Sequence, residues 1–193
     1  LGLLGLLASS FLVKPTSSQI IEIGDRFILT NDSLLLNIGA VSPDYVSTFE
    51  DGSFVSVWKG ITNNCFGQIR DEDTQVLVSQ FSINTNTSCI YPVVAVLDNN
   101  TFVVVWKTRP FLNSLMYGRY FYYNSSVLGS EFLIDSRRVR NPRISALGNG
   151  GFGLVYPVNL AVLLTKLYDA TGINIATFAA TNTLGSEVEF FPY

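Results

Sequence analysis

The chain has 193 residues, 48% hydrophobic and 14% charged, with a formal net charge of -3 and no histidine. A chain of this length and apolarity can bury a core and is not disordered by composition, and its acidic balance excludes a general affinity for nucleic acid or anionic membranes. The missing histidine excludes Ser-His-Asp, Cys-His and His-metal chemistry within the chain. Fourteen Phe, nine Tyr and short runs of Val and Ile, with a single Met, predict an all-β chain rather than a helical one.

The opening "LGLLGLLASSFLVKPTSS" is apolar up to Lys14, too short to cross a bilayer at roughly 20 residues. Residues 1–18 read as a signal-peptide-like leader, truncated because no Met or basic segment precedes the apolar run, with Ala8, Ser9 and Ser10 as a cleavage zone. A buried strand or short apolar helix is the alternative. The expected location is secreted, extracellular or cell-surface, with no transmembrane segment.

From residue 19 onward the chain repeats. Pro43, Pro92, Pro142 and Pro192 are spaced 49, 50 and 50 residues apart. Phe54, Phe102 and Phe152 each stand four residues before Trp58, Trp106 and Tyr156. The phrases "GDRFILT", "VSQFSIN" and "GSEFLID" align Phe27, Phe81 and Phe132. A period near 50 residues is the signature of a tandem structural repeat.

Each unit divides into four predicted strands, A to D. Strand A follows the proline, as in "VVAVL". A turn of "EDGS", "DNNT" or "GNGG" leads to strand B, "FVSVW", "FVVVW" or "FGLVY". A variable loop precedes strand C, "FGQIR", "YGRYF" or "LTKLY", and a second turn leads to strand D, "QFSIN", "EFLID" or "TFAAT". Strand B of the second unit is apolar on both faces and must be covered on both. A four-stranded sheet of this kind repeated in tandem predicts a β-propeller-like fold, with blades at 43–84, 92–135 and 142–183 and a fourth beginning at 192. Trp58 and Trp106 are expected to pack between blades. Three blades plus an N-terminal strand do not close a ring, so residues 19–193 read as an incomplete propeller, completed by missing C-terminal blades or neighbouring subunits.

The phrases "PVVAVLDNNTFVVVW", "MYGRYF", "LYDATG" and "GSEFLID" resemble tandem repeats of about 50 residues, with a DG-x-FVVVW, YG-x-x-F, G-x-EF-x-VNT pattern, in large secreted or surface-attached proteins of bacteria and protists. The resemblance spans residues 25–193. It implies propeller-like blades in adhesin-type or scaffold proteins, with no catalytic set attached. The third unit departs from the pattern at Tyr156 and in the apolar "PVNLAVLLTK".

In a four-stranded blade the B–C and D–A loops emerge on the same side. Cys65 in the first B–C loop and Cys89 in the next D–A loop are therefore expected to pair, the alternative being two buried thiols. Sequons at Asn31, Asn86, Asn99 and Asn124 fall in predicted turns or loops and permit glycosylation. Arg137, Arg138, Arg140 and Arg143 crowd one D–A loop, either as a grip for a carboxylate, sulfate or phosphate or as a solvated loop paired with acids. Asp71 and Asp73 in "RDEDTQ" suggest a weak calcium site or an ordinary acidic turn; no other cofactor is expected. The expected function is a non-enzymatic adhesion or scaffold module for an extracellular protein or glycan. Alternatives are a propeller-type glycan hydrolase or lyase and a structural subunit of an extracellular fibre.

Overall fold

The computed structural model describes residues 45–60, 62–98, 100–108, 114–158 and 162–181, with the backbone of 190–192. The leader, the Phe27 strand, Asn31 and Asn99 lie outside the described residues.

Every described unit is an antiparallel meander. The first contains β1 (Val46–Thr48), β2 (Phe54–Lys59), β3 (Cys65–Arg70) and β4 (Val76–Ser82), and the second β5 (Ile90–Val96), β6 (Thr101–Lys107), β7 (Met116–Tyr122) and β8 (Val127–Asp135). The third contains β9 (Arg143–Ala146), β10 (Phe152–Val158), β11 (Val162–Tyr168) and β12 (Asn174–Thr181). Neighbours in sequence are neighbours in each sheet, and no α-helix occurs among the described residues. The all-β expectation therefore holds. The third sheet has five strands rather than four, because β13 (Phe190–Pro192) pairs its backbone with β12. Residues 190–192, read from the sequence as the entry to a further unit, thus supply hydrogen-bonding groups to the outer edge of the third sheet.

The acidic and amide residues of the turns have a local task. Asp51 accepts the Ser53 N–H at 3.0 Å, Asp98 the Asn100 and Thr101 N–H groups, and Asn149 the Gly151 N–H. Asp71, Asn124 and Asp169 do the same between the third and fourth strands of their units. These side chains replace the missing backbone partner where the chain reverses.

The sheets stack in one direction. On β6, Phe102, Val104 and Trp106 pack with Val55 and Val57 of the first sheet. The alternate residues Val103 and Val105 pack with Phe152, Leu154 and Tyr156 of the third. The second and third sheets thus lay their Phe/Trp and Phe/Tyr faces on the sheet before, and the first and second offer their other faces to the sheet after, as the period-2 strand geometry allows. Inter-sheet approach is concentrated at the inner strands β1, β2, β5 and β9, while β4 and much of β8 are exposed.

A glycine in strand C completes the packing. Gly67 pairs directly with Phe81 and Gly118 with Phe132. A Cβ at either glycine would lie 2.5 or 2.7 Å from the facing ring, so only glycine lets the ring lie across the strand. The third unit has Thr165 facing Phe178 instead.

Candidate functional site

The two sheet boundaries carry the side-chain chemistry. At the first, Cys65 and Cys89 form the expected disulfide, with Cα atoms 5.6 Å apart. Cys65 is the first residue of β3 rather than a loop residue, because the preceding turn is short and β3 begins one position before its aromatic. The Cys89 N–H donates to the Asn63 carbonyl at 2.6 Å, so the two loops are joined by a hydrogen bond as well as by sulfur. Asn84, buried at the end of the first unit's strand D, accepts the Cys65 N–H at 2.7 Å and donates to the Thr87 carbonyl. Thr87 in turn accepts the Trp106 indole N–H at 3.2 Å. The tryptophan is fully buried between the first and second sheets and tied to the preceding unit's loop.

The same loop encloses a carboxylate. Glu131 of β8 accepts the Thr85 and Asn86 N–H groups and the Thr87 hydroxyl, the last two at 3.1 and 3.0 Å. Burial opposes its ionisation, but these donors outweigh burial and hold the carboxyl below its ordinary range.

At the second boundary the residue in register with Asn84 is Asp135, also buried. Its carboxylate accepts the Arg137 Nε and Nη2 at 3.0 and 2.7 Å, the Arg137 N–H at 2.9 Å and the Tyr156 hydroxyl at 2.7 Å. Lys166 lies 3.8 Å away and donates to the Ile134 carbonyl at 2.6 Å. Burial pushes the carboxyl up, yet hydrogen bonds from Arg137 and Tyr156 and the guanidinium charge hold it down at about 2. Burial and the adjacent carboxylate keep the Tyr156 phenol neutral far above its usual range. The carboxylate is charged and fully partnered, the arrangement of a structural anchor rather than of a proton-transfer group.

The arginine-rich loop is divided by these contacts. Arg137 grips Asp135 with its guanidinium half exposed. Arg138 and Arg140 are exposed, the Arg140 N–H donating to the Pro157 carbonyl at 2.9 Å, and Arg143 begins β9. Burial, and secondarily the Arg140 charge, lower the Lys107 ammonium. Asp71 closes its turn by accepting the Gln75 N–H at 2.7 Å. Among the described residues no group of three or more His, Cys, Asp or Glu converges on a metal-sized space. Asn86 and Asn124 are exposed, and the Asn124 Oδ1 accepts the Ser126 hydroxyl at 2.6 Å within its sequon.

A cleft of about 610 Å³ opens between the second and third sheets. Tyr120, Phe132 and Tyr168 supply aromatic surface, and Lys166, Thr171 and Asn174 supply polar groups. Tyr120 and Phe132 stack at 5.4 Å between centroids. The Tyr120 hydroxyl is buried and has no hydrogen-bond partner among the described residues; burial raises its ionisation well above the usual phenol range. Burial likewise pushes Tyr168 up to about 12, so the cleft's phenols remain neutral donors. Lys166, Thr171 and Asn174 also hydrogen-bond within the chain, to Ile134, Asp169 and Ala176, so the cleft is an open, aromatic-walled space with polar groups at its rim.

Sequence reading passed over Asn84, Asp135, Glu131 and Lys166, although "SIN" and "LID" place the first two in register after the aligned phenylalanines. No helix among the described residues is long and apolar enough to cross a membrane. Comparison of the chain with protein-family models, with curated proteins and with solved structures finds no match in any of the three.

Proposed function

We propose that the chain is a secreted or cell-surface, non-enzymatic repeat domain of propeller-like architecture, serving as an adhesion or scaffold module for glycans or extracellular proteins. The observation that carries this reading is the one-directional stack of three homologous sheets, clipped by an oxidised cysteine pair at the loops. A disulfide of this kind persists where the surroundings are oxidising, which favours an extracellular setting. A rigid stack with exposed, sequence-variable loops is a platform for recognition. The likeness of the repeat phrases to those of adhesin-type proteins supports the same reading.

The cleft between the second and third sheets supports the glycan arm. Sugars present apolar C–H faces and hydroxyls together, and the Tyr120, Phe132 and Tyr168 rings with Thr171, Asn174 and Lys166 offer the matching chemistry. The oxidised chain on a glycan array is the test. Retention of a restricted set of glycans is expected, and Asn174→Ala weakens it by about tenfold, the value of one hydrogen bond of roughly 1.4 kcal/mol. Uniform silence on the array removes the glycan arm.

A further inference from the structure

The one-directional stacking leaves the third sheet with a face that its predecessors bury. In the first sheet, Val55 and Val57 are 0% and 3% exposed beneath the second sheet. In the second, Val103 and Val105 are 0% exposed beneath the third. The positions in register on β10 are Gly153 and Val155, and both are only half buried. Strand pairing places Val155, Pro157, Leu163, Leu167, Phe178 and Ala180 on this same face. Leu163 is 43% exposed, and among the described residues no further sheet lies beyond it. An apolar face of this extent on a sheet marks an interaction surface.

We propose that this outer face of the third sheet docks a further four-stranded unit of the same repeat, one whose second strand presents the alternating Phe, aliphatic and Trp or Tyr side chains. Two internal precedents fix the occupant's chemistry. Phe102, Val104 and Trp106 cover the first sheet's face, and Phe152, Leu154 and Tyr156 cover the second's. A face-to-tail contact of this type generates a ring or an extended array, never a closed pair. The first sheet of a second copy is not the matching occupant. Its corresponding face carries Ser56 where the two precedents carry Val104 and Leu154, so it does not repeat their aliphatic match.

This inference rests on the repeat-module reading and adds to it the direction in which the array continues. Its test uses the full chain and the same chain extended after Tyr193 by a copy of its own residues 90–141, each with and without Val155→Lys. In the natural chain the substitution shifts the melting temperature by a few degrees at most, because the face is open. In the extended chain it lowers the melting temperature by about 10 °C, because a charge is then buried between sheets. Leu163→Lys, on the same face, repeats the comparison independently. Equal effects in both chains overturn the proposal. So does a large loss in the natural chain, which would mean that the face is already covered. Sedimentation of the natural chain as a dimer that Val155→Lys splits assigns the face to a second copy, and also overturns it. None of these readouts involves a glycan, so array silence leaves the docking test intact, and failure to dock leaves the glycan reading standing.

Discussion

The two boundaries between sheets solve one packing problem with different chemistry. At the first, the loops are joined by Cys65–Cys89, the buried polar residue is the neutral Asn84, and Glu131 reaches across to the preceding loop. At the second, the register positions of the cysteines hold Met116 and Val139, both buried in the apolar core. The buried polar residue there is Asp135, charged and ringed by Arg137, Tyr156 and Lys166. Thr177 stands in register with Glu131 and makes no corresponding reach; its hydroxyl donates to Asn174 of its own strand. One boundary is thus covalent at its core with a carboxylate, Glu131, at its loop, and the other is ionic at its core. A repeat therefore fixes which positions must be buried, not which chemistry fills them.

The largest expected effect breaks the covalent boundary. Cys65→Ser with Cys89→Ser removes a cross-link closing a 24-residue separation and costs about 3 kcal/mol through the entropy of the unfolded chain. Urea unfolding of the two forms under non-reducing conditions measures it. Equal midpoints would place no weight on the clip.

The next effect separates the boundaries by pH. The Asp135 carboxyl is held at about 2 in the folded chain and lies near 3.9 when unfolded. Its folded value is depressed, so its stabilisation is present above about pH 4 and is lost as pH falls toward 2. The loss amounts to about 2 kcal/mol. Asp135→Asn copies the residue of the first boundary and is expected to remove this part of the acid limb. Stability curves from pH 5 to pH 2 for both forms check it; parallel curves would contradict the assignment.

The smallest effect sharpens the first boundary. Glu131→Gln keeps the shape but removes the charge that the Thr85 and Asn86 N–H groups face, with an expected loss of about 1 kcal/mol. Amide exchange at Thr85 and Asn86 provides the local readout, rising in the variant while the exchange of β10 stays unchanged.

Much of this arrangement was legible in the sequence. The spacing of Phe54, Phe102 and Phe152 and their aromatic partners gives the strands, the unit length and the burial of both faces of β6, because backbone geometry imposes a period of 2 on side chains. The cysteine pair followed from which loops share a side. Asp135 was not singled out, because its significance depends on Tyr156, 21 residues away, meeting it through the fold. The four arginines were legible as a cluster in sequence only; the structure divides them, since Arg137 turns inward to Asp135 while Arg138 and Arg140 face outward. Glu131 and Lys166 eluded prediction for a similar reason: each acts on the neighbouring sheet, and no local pattern announces that.

The register shifts of the sheets are not evenly spread. The central pairings β2 with β3 and β6 with β7 run without interruption, whereas β3 with β4 and β7 with β8 each slip twice. Single slips also occur between β5 and β6 and between β11 and β12, but the doubled ones sit beside β4 and β8, the edge strands where apolar residues such as Val76, Leu77 and Leu133 face solvent. A bulge coils an edge and spoils its match to any straight strand approaching from outside. Irregular rims of this kind leave valine- and phenylalanine-rich sheets poorly matched at their edges to a further strand.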